Sequence, residues 1–557
     1  TTTQGGSIMI AADGSFMYSP PVGLTGGMTD TYTYTLNDGN PLGAPVPATD
    51  MATVTITVSN MVRFISNIIS GTSGTGTRLD PFKTIADFNA ATGPAAGHTV
   101  YLQHTGTDSP GGIVLKPDMH LFGTGHTGGV TLADVLPFAV APNSFTLPAI
   151  NGTAPIITNA GGAGITLNSG NTIRGIHVST TMGAKISGSN FGTLTVGDAT
   201  APDVTLSGNG QALSLTTGSF AATSKFISVA STSSTSHGIL LNGVGGTVAM
   251  GSTSISGATS LGILVQGGST VNADFGNTTL NGGSGGISLQ SNSGGTRTFG
   301  TLSITNGSGA AFANILGGGL TNVTGTTTIT NPGGRGIEIG NTTAGNGVMF
   351  AYVTITSSGS VGADLNDNAG NVTFAALNIT PDNGQPALEV TNQTGTLTTT
   401  SGTISATSAN GIDITTAVLA LTLTSVTTNG GNIGVGLSQC SGTFTANGGN
   451  IANQAIGGFV VFGGTVTVTY SGGFGNGVKI IEINNHDSNN ITFQTGTINS
   501  NGNVIVQQCS GGIITFSNPT KTLSTGATTA VSLTNNTGAT INFTGGGIPN
   551  FSLSCLA

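Results

Sequence analysis

Four acidic residues at near-constant spacing are the strongest candidates for chemistry in this chain. Glu338, Asp364, Glu389 and Asp413 follow one another at intervals of 26, 25 and 24 residues, although only 6% of the chain is charged. Carboxylates brought side by side can bind a cation such as calcium, or they can act as a paired acid and base. A third interpretation is a solvated face without a ligand. All three depend on a fold that aligns the four side chains.

The four acids occupy the same place in a repeated phrase. The phrase first occurs as Gly238-Ile239-Leu240-Leu241, and each acid holds the third place of a later copy. Copies follow at steps of 22–27 residues, apart from one step of 50 that spans a degenerate copy near Ala311. A unit of this length buries its apolar face only by stacking on copies of itself, so the period predicts an all-β parallel solenoid. The copies begin at Gly238, Gly262, Gly286, Gly336, Gly362, Ala387, Gly411, Gly434, Gly458, Ile480, Asn503 and Ala530.

Strand alternation decides where the acids point. The second and fourth places of the phrase are apolar and should face inward, so the third place should face outward. The four carboxylates are then expected in one line at steps of about 5 Å. At that spacing neighbouring charges repel by only about 0.8 kcal/mol at a water-like dielectric constant. A solvated face therefore needs no counter-ion, and the cation and catalytic interpretations stay open beside it.

A second apolar pattern follows the phrase by 12–14 residues. Phenylalanines recur there at intervals of 23–27 residues, and we expect their rings to stack inside the solenoid, because buried aromatic residues belong mainly to cores. They are Phe275 and Phe299, then Phe350 and Phe374, then Phe493, Phe516 and Phe543.

Composition excludes several classes of protein. The formal net charge is −9, and the 11 basic residues are scattered singly, which leaves no basic surface for nucleic acid. No run approaches the roughly 18 consecutive apolar residues of a membrane-spanning helix. Three cysteines, Cys440, Cys509 and Cys555, form no disulfide framework. Cys440 and Cys509 are three repeats apart, so we expect them to fill the same turn position in different turns, too far apart to be bridged.

Residues 1–59 have a different, period-2 pattern. About four strands are predicted, with a hairpin turn at Asp13-Gly14. The segments 13–20 and 29–39 resemble bacterial cadherin-like or Ig-like surface modules, and the resemblance covers only the C-terminal part of such a module. It implies a partial β-sandwich and a possible calcium site at Asp13, Asp30 and Asp38. Turn chemistry alone also explains Asp13 and Asp38.

Residues 60–130 are predicted to cap the solenoid, and residues 131–557 to form its turns. A glycine-rich stretch, Asp80-Pro81-Phe82 and a helix over 83–91 precede strands near 97–102 and 112–117. This order resembles the N-terminal cap of right-handed parallel β-helices in the pectin-lyase-like superfamily. The segments 147–159 and 164–176 are similar to β-strand-repeat regions of large bacterial surface proteins. These resemblances imply a right-handed fold but no particular activity.

Catalysis is the less favoured interpretation of the acids. Pectin-lyase-like enzymes place acids on outward positions of adjacent turns, but this chain contains no Asp-Asp pair and no Arg-x-Lys, and Arg335 is the basic residue nearest the four acids. A sugar-binding groove also needs aromatic stacking faces, and the chain has no Trp and 6 Tyr. We therefore expect no catalytic residues.

The sequence favours an extracellular bacterial structural or adhesive surface protein. The chain starts at Thr1 without a signal-peptide pattern, and we expect it to be a mature or trimmed piece of a longer secreted product. A strand-poor N-terminal module and a final segment, 551–557, without a polar cap predict a homo-oligomer, joined end to end as a fibre. The alternatives are a β-helix polysaccharide lyase or glycosidase, and a non-catalytic spike that binds a surface glycan.

Overall fold

The chain folds as a parallel β-solenoid of right-handed type with about 18 turns. This confirms the fold class and the roughly 17–19 turns that a period of ~24 residues predicts. The computed structural model describes residues 1–21, 28–37, 49–58, 60–67, 72–140, 146–381 and 384–545. The chain divides into two compact units, Thr1–Val229 and Ala230–Ala557. Within the described ranges, no helix is both long and apolar enough to cross a membrane.

The N-terminal segment forms two separate two-stranded sheets. Ser7–Ile10 pairs antiparallel with Phe16–Ser19, and Thr29–Asn37 pairs antiparallel with Thr49–Thr57. The predicted turn at Asp13-Gly14 is present, with Gly14 at a φ of 84°. The four strands are therefore confirmed, whereas the partial Ig-like β-sandwich stays a prediction.

The predicted capping helix spans Ile85–Ala90. Thr84 is its N-cap and forms a capping box with Asp87, which satisfies backbone N–H groups at the start of the helix. Its apolar face buries Ile85 and Phe88, and the Phe88 ring lies 5.9 Å from that of Phe82. A short 3-10 helix, Leu132–Val135, follows.

Short parallel strands form the turns of the first unit. They stack in register because each strand is followed by a corner and returns one turn further along. Their bounds are Val62–Ile65, Thr99–Leu102, Ser109–Pro110, Ile113–Val114, His120–Gly123, Ile156–Asn159, Ile165–Thr166, Thr172–Arg174, His177–Thr181, Ile186–Ser189, Thr193–Val196, Thr205–Leu206 and Leu213–Lys225, and Ser228–Thr232 spans the boundary with the second unit.

Each turn of the second unit has three strand positions, and some strands run through two of them. The first position, which contains the repeated phrase, we call the phrase sheet: Ile239–Ala249, Leu261–Gln266, Gly285–Gln290, Phe312–Ile315, Ile337–Gly340, Ala363–Asn366, Leu388–Thr407, Ile412–Leu423, Ile433–Ser438, Gly457–Phe462, Lys479–Asn484, Asn503–Gln507 and Val531–Thr534. The second position adds Asn272–Asp274, Ser293–Phe299, Gly318–Thr330, Val348–Thr356, Val372–Thr380, Ser441–Ala446, Thr467–Tyr470, Ile491–Phe493, Ile513–Phe516 and Thr540–Phe543. The third adds Ser252–Ser256, Asn277–Asn281, Leu302–Thr305, Ser425–Asn429, Gly449–Ala452, Gly473–Phe474, Ile498–Ser500 and Lys521–Leu523.

The second place of the phrase forms one continuous inward column. Its members pair strand to strand without interruption, including the degenerate copy, where Phe312 takes the place. All are at most 2% exposed, apart from Val531 in the last described turn. The predicted register is therefore confirmed through Ile239, Ile263, Ile287, Phe312, Ile337, Ala363, Leu388, Ile412, Val435, Phe459, Ile481, Val504 and Val531.

The phenylalanines stack as predicted, but in two columns rather than one. Phe350 and Phe374 are parallel at 5.4 Å, and their column continues as Thr399, Leu421 and Phe444. Phe493 belongs to the next inward column, two residues further along the strand, because side chains on one face of a strand recur every second residue. Phe516 and Phe543 stack on Phe493 in that second column.

The phrase sheet ends at a left-handed corner in every turn. The corner residues have φ between 51° and 67°, a conformation that Gly and Asn adopt most readily. The residue after the corner points inward, and Cys440 and Cys509 occupy this place as buried free thiols. Their predicted position is thus confirmed, and Cys555 lies outside the described residues. The corner residues are Gly243, Gly267, Ser291, Leu316, Asn341, Asp367, Asn392, Thr416, Gln439, Gly463, Asn485, Gln508 and Asn535.

Candidate functional site: a column of acidic residues on the phrase sheet

The four acids lie on one face of one sheet. Glu338 is paired in register with Asp364, Asp364 with Glu389, and Glu389 with Asp413, on four consecutive strands. Their neighbours along the strand, such as Ile337 and Ile339, are fully buried, so the acids point outward. We call these four residues the acid column.

The acid column is more sheltered than a solvated face would be. All four residues are half-buried, and the side chains of Glu338 and Asp364 are only 29% and 15% exposed. Ala313 and Gly436, which are also largely buried, flank the column in the same line. The four carboxylates therefore repel one another more strongly than they would at a water-like dielectric constant. A positive charge or a bound proton that lowers this repulsion stabilises the column.

Arg335 neutralises one end of the column. Its Nε lies 2.5 Å from Asp364 Oδ2, and its Nη1 donates to Glu338 Oε1 at 3.3 Å. The guanidinium thus contacts carboxylates on two adjacent strands. The sequence identifies Arg335 as the basic residue nearest the acids, and the structure gives it this bridging position.

Glu389 and Asp413 form the other half of the column without such a partner. Among the described residues, no Lys, Arg or His nitrogen lies within 4.0 Å of either carboxylate. Burial raises the pKa of Glu389, and the charges of Asp364 and Asp413 raise it further, while Arg335 opposes the shift. Burial also raises the pKa of Asp413. This pair holds protons to a higher pH than ordinary carboxyl groups.

A fifth acid extends the same line and was missed by sequence reasoning. Glu482 follows Gly436 and Val460 in the outward register, and Lys479 Nζ donates to Glu482 Oε2 at 3.0 Å. The signal was present, since Glu482 holds the third place of the weak copy that begins at Ile480. Lys479 stands three residues before its acid, as Arg335 stands before Glu338.

The described residues contain no group of three or more His, Cys, Asp or Glu side chains arranged to hold a metal ion. The four residues of the acid column do not form such a group, because side chains in a straight line on a sheet cannot surround a metal ion. Calcium takes 6–8 oxygen ligands in a closed shell. What the column offers chemically is therefore adjacent pairs of carboxyl groups, with Glu389 and Asp413 as the protonatable pair.

Asp30 of the N-terminal segment is engaged by hydrogen-bond donors. The hydroxyls of Thr2, Thr3 and Tyr18 and the backbone N–H of Gln4 all donate to its carboxylate, the Tyr18 contact at 2.8 Å. Burial alone would raise the pKa of Asp30, but these bonds outweigh it and lower the pKa to about 2. The carboxylate thus holds the first residues of the chain against Thr29–Asn37.

The other two acids of the expected calcium site are Asp13 and Asp38. Asp13 accepts hydrogen bonds from the hydroxyl and backbone N–H of Ser15, which lower its pKa and complete the hairpin turn. Asp38 lies outside the described residues. Calcium at Asp13, Asp30 and Asp38 stays a prediction from the resemblance.

Comparison of the chain with protein-family models, with curated proteins and with solved structures gave no match.

Proposed function

We propose that this protein is an extracellular structural protein of a bacterial surface, and that copies of the chain join end to end. The observation that supports the proposal is the state of the last described turn. There, inward-facing side chains are exposed at places that are fully buried in the turn directly beneath it. A stack of this kind is completed by adding another apolar layer.

Among the described residues, this exposure of inward-facing side chains is seen in the last described turn. Leu533 is 44% exposed, whereas Val506, directly beneath it in register, is fully buried. Phe543 is 36% exposed, whereas Phe516 beneath it is fully buried. A second copy placed on this turn would bury both side chains and continue the parallel ladder.

The N-terminal strands offer a complementary surface. Ile10, Leu36 and Met51 are 51%, 58% and 72% exposed, on sheets of only two strands each. A two-stranded sheet is marginal by itself, and its free edges accept further strands. A partner of the same sequence would satisfy both surfaces, which favours an open assembly over a closed dimer.

The outer faces suit contact with a glycan-covered surface. Threonines face outward in five consecutive turns, Thr422, Thr445, Thr469, Thr492 and Thr515, each partly exposed. Such a ladder presents regularly spaced hydroxyls without charge, which can hydrogen-bond to sugar hydroxyls. This supports an adhesive role beside the structural one.

The test is assembly in solution. Purified chain should form end-to-end polymers with rising concentration, seen by light scattering and electron microscopy, and the double variant Leu533→Ser, Phe543→Ser should stay monomeric. Val478→Ser is the matched control, because Val478 is 59% exposed but lies away from the end, and it should assemble normally. Single particles of the unmodified chain at every concentration would contradict the proposal.

A second candidate is the carbohydrate-active enzyme that the sequence offers as an alternative. The observation that favours it is the protonatable pair Glu389 and Asp413 on adjacent strands, since glycoside hydrolysis uses two carboxyl groups of different protonation. Release of oligosaccharides from pectin, alginate or hyaluronan, abolished by Glu389→Gln, would establish this function. Binding without release would indicate the glycan-binding spike.

A further inference from the structure

A serine and a histidine form a close pair on the outer surface of the first unit. His177 Nε2 lies 2.7 Å from Ser207 Oγ, and both side chains are partly exposed to solvent. With the histidine proton on Nδ1, the hydroxyl donates to Nε2. This is the arrangement in which an imidazole removes the proton of a serine nucleophile.

The strands impose this pairing. His177 begins the strand His177–Thr181, and Ser207 directly follows Thr205–Leu206 on the next turn. Val178 and Leu206 are paired in register and fully buried, so His177 and Ser207 must point outward. The backbone N–H of Ser207 donates to Val178 O at 2.9 Å, which fixes the serine diagonally opposite the imidazole.

A sharp turn follows Ser207 immediately. Gly208 has a φ of +73°, and a Cβ at this position would lie 2.6 Å from Thr180 Oγ1. Glycine is therefore required at position 208, and the turn leaves Ser207 partly exposed directly after its strand. In other serine-based sites a tight, glycine-containing turn after a strand also exposes the nucleophile, although there the turn leads into a helix and here it leads into the strand Leu213–Lys225.

A buried positive charge lies beneath this turn. Lys185 is fully buried, and its Nζ donates to the carbonyl oxygens of Gly208, Asn209 and Gly210 at 3.0, 3.1 and 2.8 Å. None of the ion pairs between described residues involves Lys185. Its positive charge lies beside the turn that follows Ser207 and favours negative charge there.

The imidazole is in the state that a base requires. Burial lowers the pKa of His177 below its usual value, although the charge of Asp108 opposes this shift. Neutral imidazole is thus the main form at neutral pH, while Asp108 stabilises the imidazolium once a proton has been transferred.

We propose that Ser207 is a nucleophile activated by His177, and that its substrate is a short-chain carboxylic ester that reaches this face from solvent. Ser207 Oγ bonds to the ester carbonyl carbon while its proton passes to His177 Nε2. The bond from that carbon to the alcohol oxygen then breaks, and His177 returns the proton to the leaving alcohol. Water attacks the acyl-serine with His177 as base, which releases the acid and restores the hydroxyl.

The test is covalent labelling of the full chain with a fluorophosphonate probe. Ser207 Oγ should displace fluoride from phosphorus, and mass spectrometry should locate one label per chain at Ser207. His177→Gln should slow labelling at least about 100-fold, the usual contribution of a general base. Ser207→Ala should abolish the hydrolysis of p-nitrophenyl acetate, and His177→Gln should slow it.

Matched variants keep the test decisive. Ser207→Ala should not be labelled, whereas Ser214→Ala, an outward serine of the same unit, should be labelled at the unmodified rate. With Cys555 replaced by Ser, Ser207→Cys should react with iodoacetamide faster than Ser207→Cys combined with His177→Gln. The native thiols Cys440 and Cys509 are buried and add little background. Absence of label, label at another serine, or equal rates with and without His177 would overturn the proposal.

Discussion

Glu389 lies directly opposite Asp413 on the neighbouring strand, so two carboxyl groups face each other at about the 4.8 Å spacing of a sheet. The corresponding pair one step earlier, Glu338 and Asp364, shares Arg335. The acid column is therefore divided into a neutralised half and a half that relieves repulsion by holding protons.

Asp413→Asn should stabilise the protein at neutral pH. The folded-state pKa of Asp413 is raised, so the folded chain binds more protons than the unfolded chain between the ordinary and the raised pKa. Stability is thus lost as pH rises through that interval, and the variant removes this loss. Because solvent screens the site, we expect a gain of at most about 1 kcal/mol. Urea unfolding should show the difference at pH 7 and none at pH 3; a destabilised variant at pH 7 would contradict it.

Arg335→Gln should destabilise the second unit more than Lys479→Gln does. Arg335 contacts two carboxylates in a sheltered column, whereas Lys479 contacts Glu482 alone. We expect a loss of about 1 kcal/mol for Arg335→Gln, and less for an isolated surface pair. The loss should shrink in Arg335→Gln combined with Asp364→Asn, because the repulsive charge is then removed as well. Equal losses for the two single variants would show that Arg335 gains nothing from its second contact.

The fold could be predicted because one physical rule repeats along the chain. A period near 24 residues with apolar residues at alternate places admits only stacking, and even the degenerate copy keeps its register through Phe312. The division of the phenylalanines into two columns could not be predicted. Spacing along the chain does not reveal a shift of two residues within a strand, because such a shift leaves the side chain on the same face. Phe493 therefore faces inward as Phe444 does, but it lies in the next column.

The candidate site could be predicted only in part. The outward line of Glu338 to Asp413 follows from strand alternation. The partial burial of these side chains does not follow from strand alternation, because it depends on the residues that flank the column in three dimensions. The pair of His177 and Ser207 left no signal, since residues thirty positions apart meet only through the unequal lengths of turns in the first unit.

Replacement of strained corner residues should stabilise the solenoid. Leu316 and Thr416 occupy left-handed corners, with φ of 54° and 55°, where most other turns place Gly, Asn or Ser. This conformation is unfavourable by about 1–2 kcal/mol for residues with a bulky or branched Cβ. Leu316→Asn and Thr416→Asn should each raise the free energy of unfolding by about 1 kcal/mol, and their effects should add because the corners are several turns apart.

The reverse change is the control for the corners. Asn341 has a φ of 55° at the equivalent corner, so Asn341→Leu should lower the free energy of unfolding by a similar amount. Denaturant unfolding of the three variants measures these changes in the free energy of unfolding, provided that the m-values are equal. A stabilising Asn341→Leu would show that corner strain does not govern stability here.

Lys185 should make the first unit more stable as pH rises from 8 to 9. Burial lowers the pKa of Lys185 from 10.5 to about 8. Between these values the unfolded chain binds more protons than the folded chain, so the free energy of unfolding increases with pH. The increase for one pH unit is at most about 1.4 kcal/mol. Lys185→Met has no ammonium group to deprotonate. The free energy of unfolding of the unmodified chain, minus that of the variant, should therefore increase over this interval. Urea unfolding of both chains at pH 7.5, 8 and 9 measures it, and a constant difference would mean that the ammonium group stays fully charged in its shell of three carbonyl oxygens.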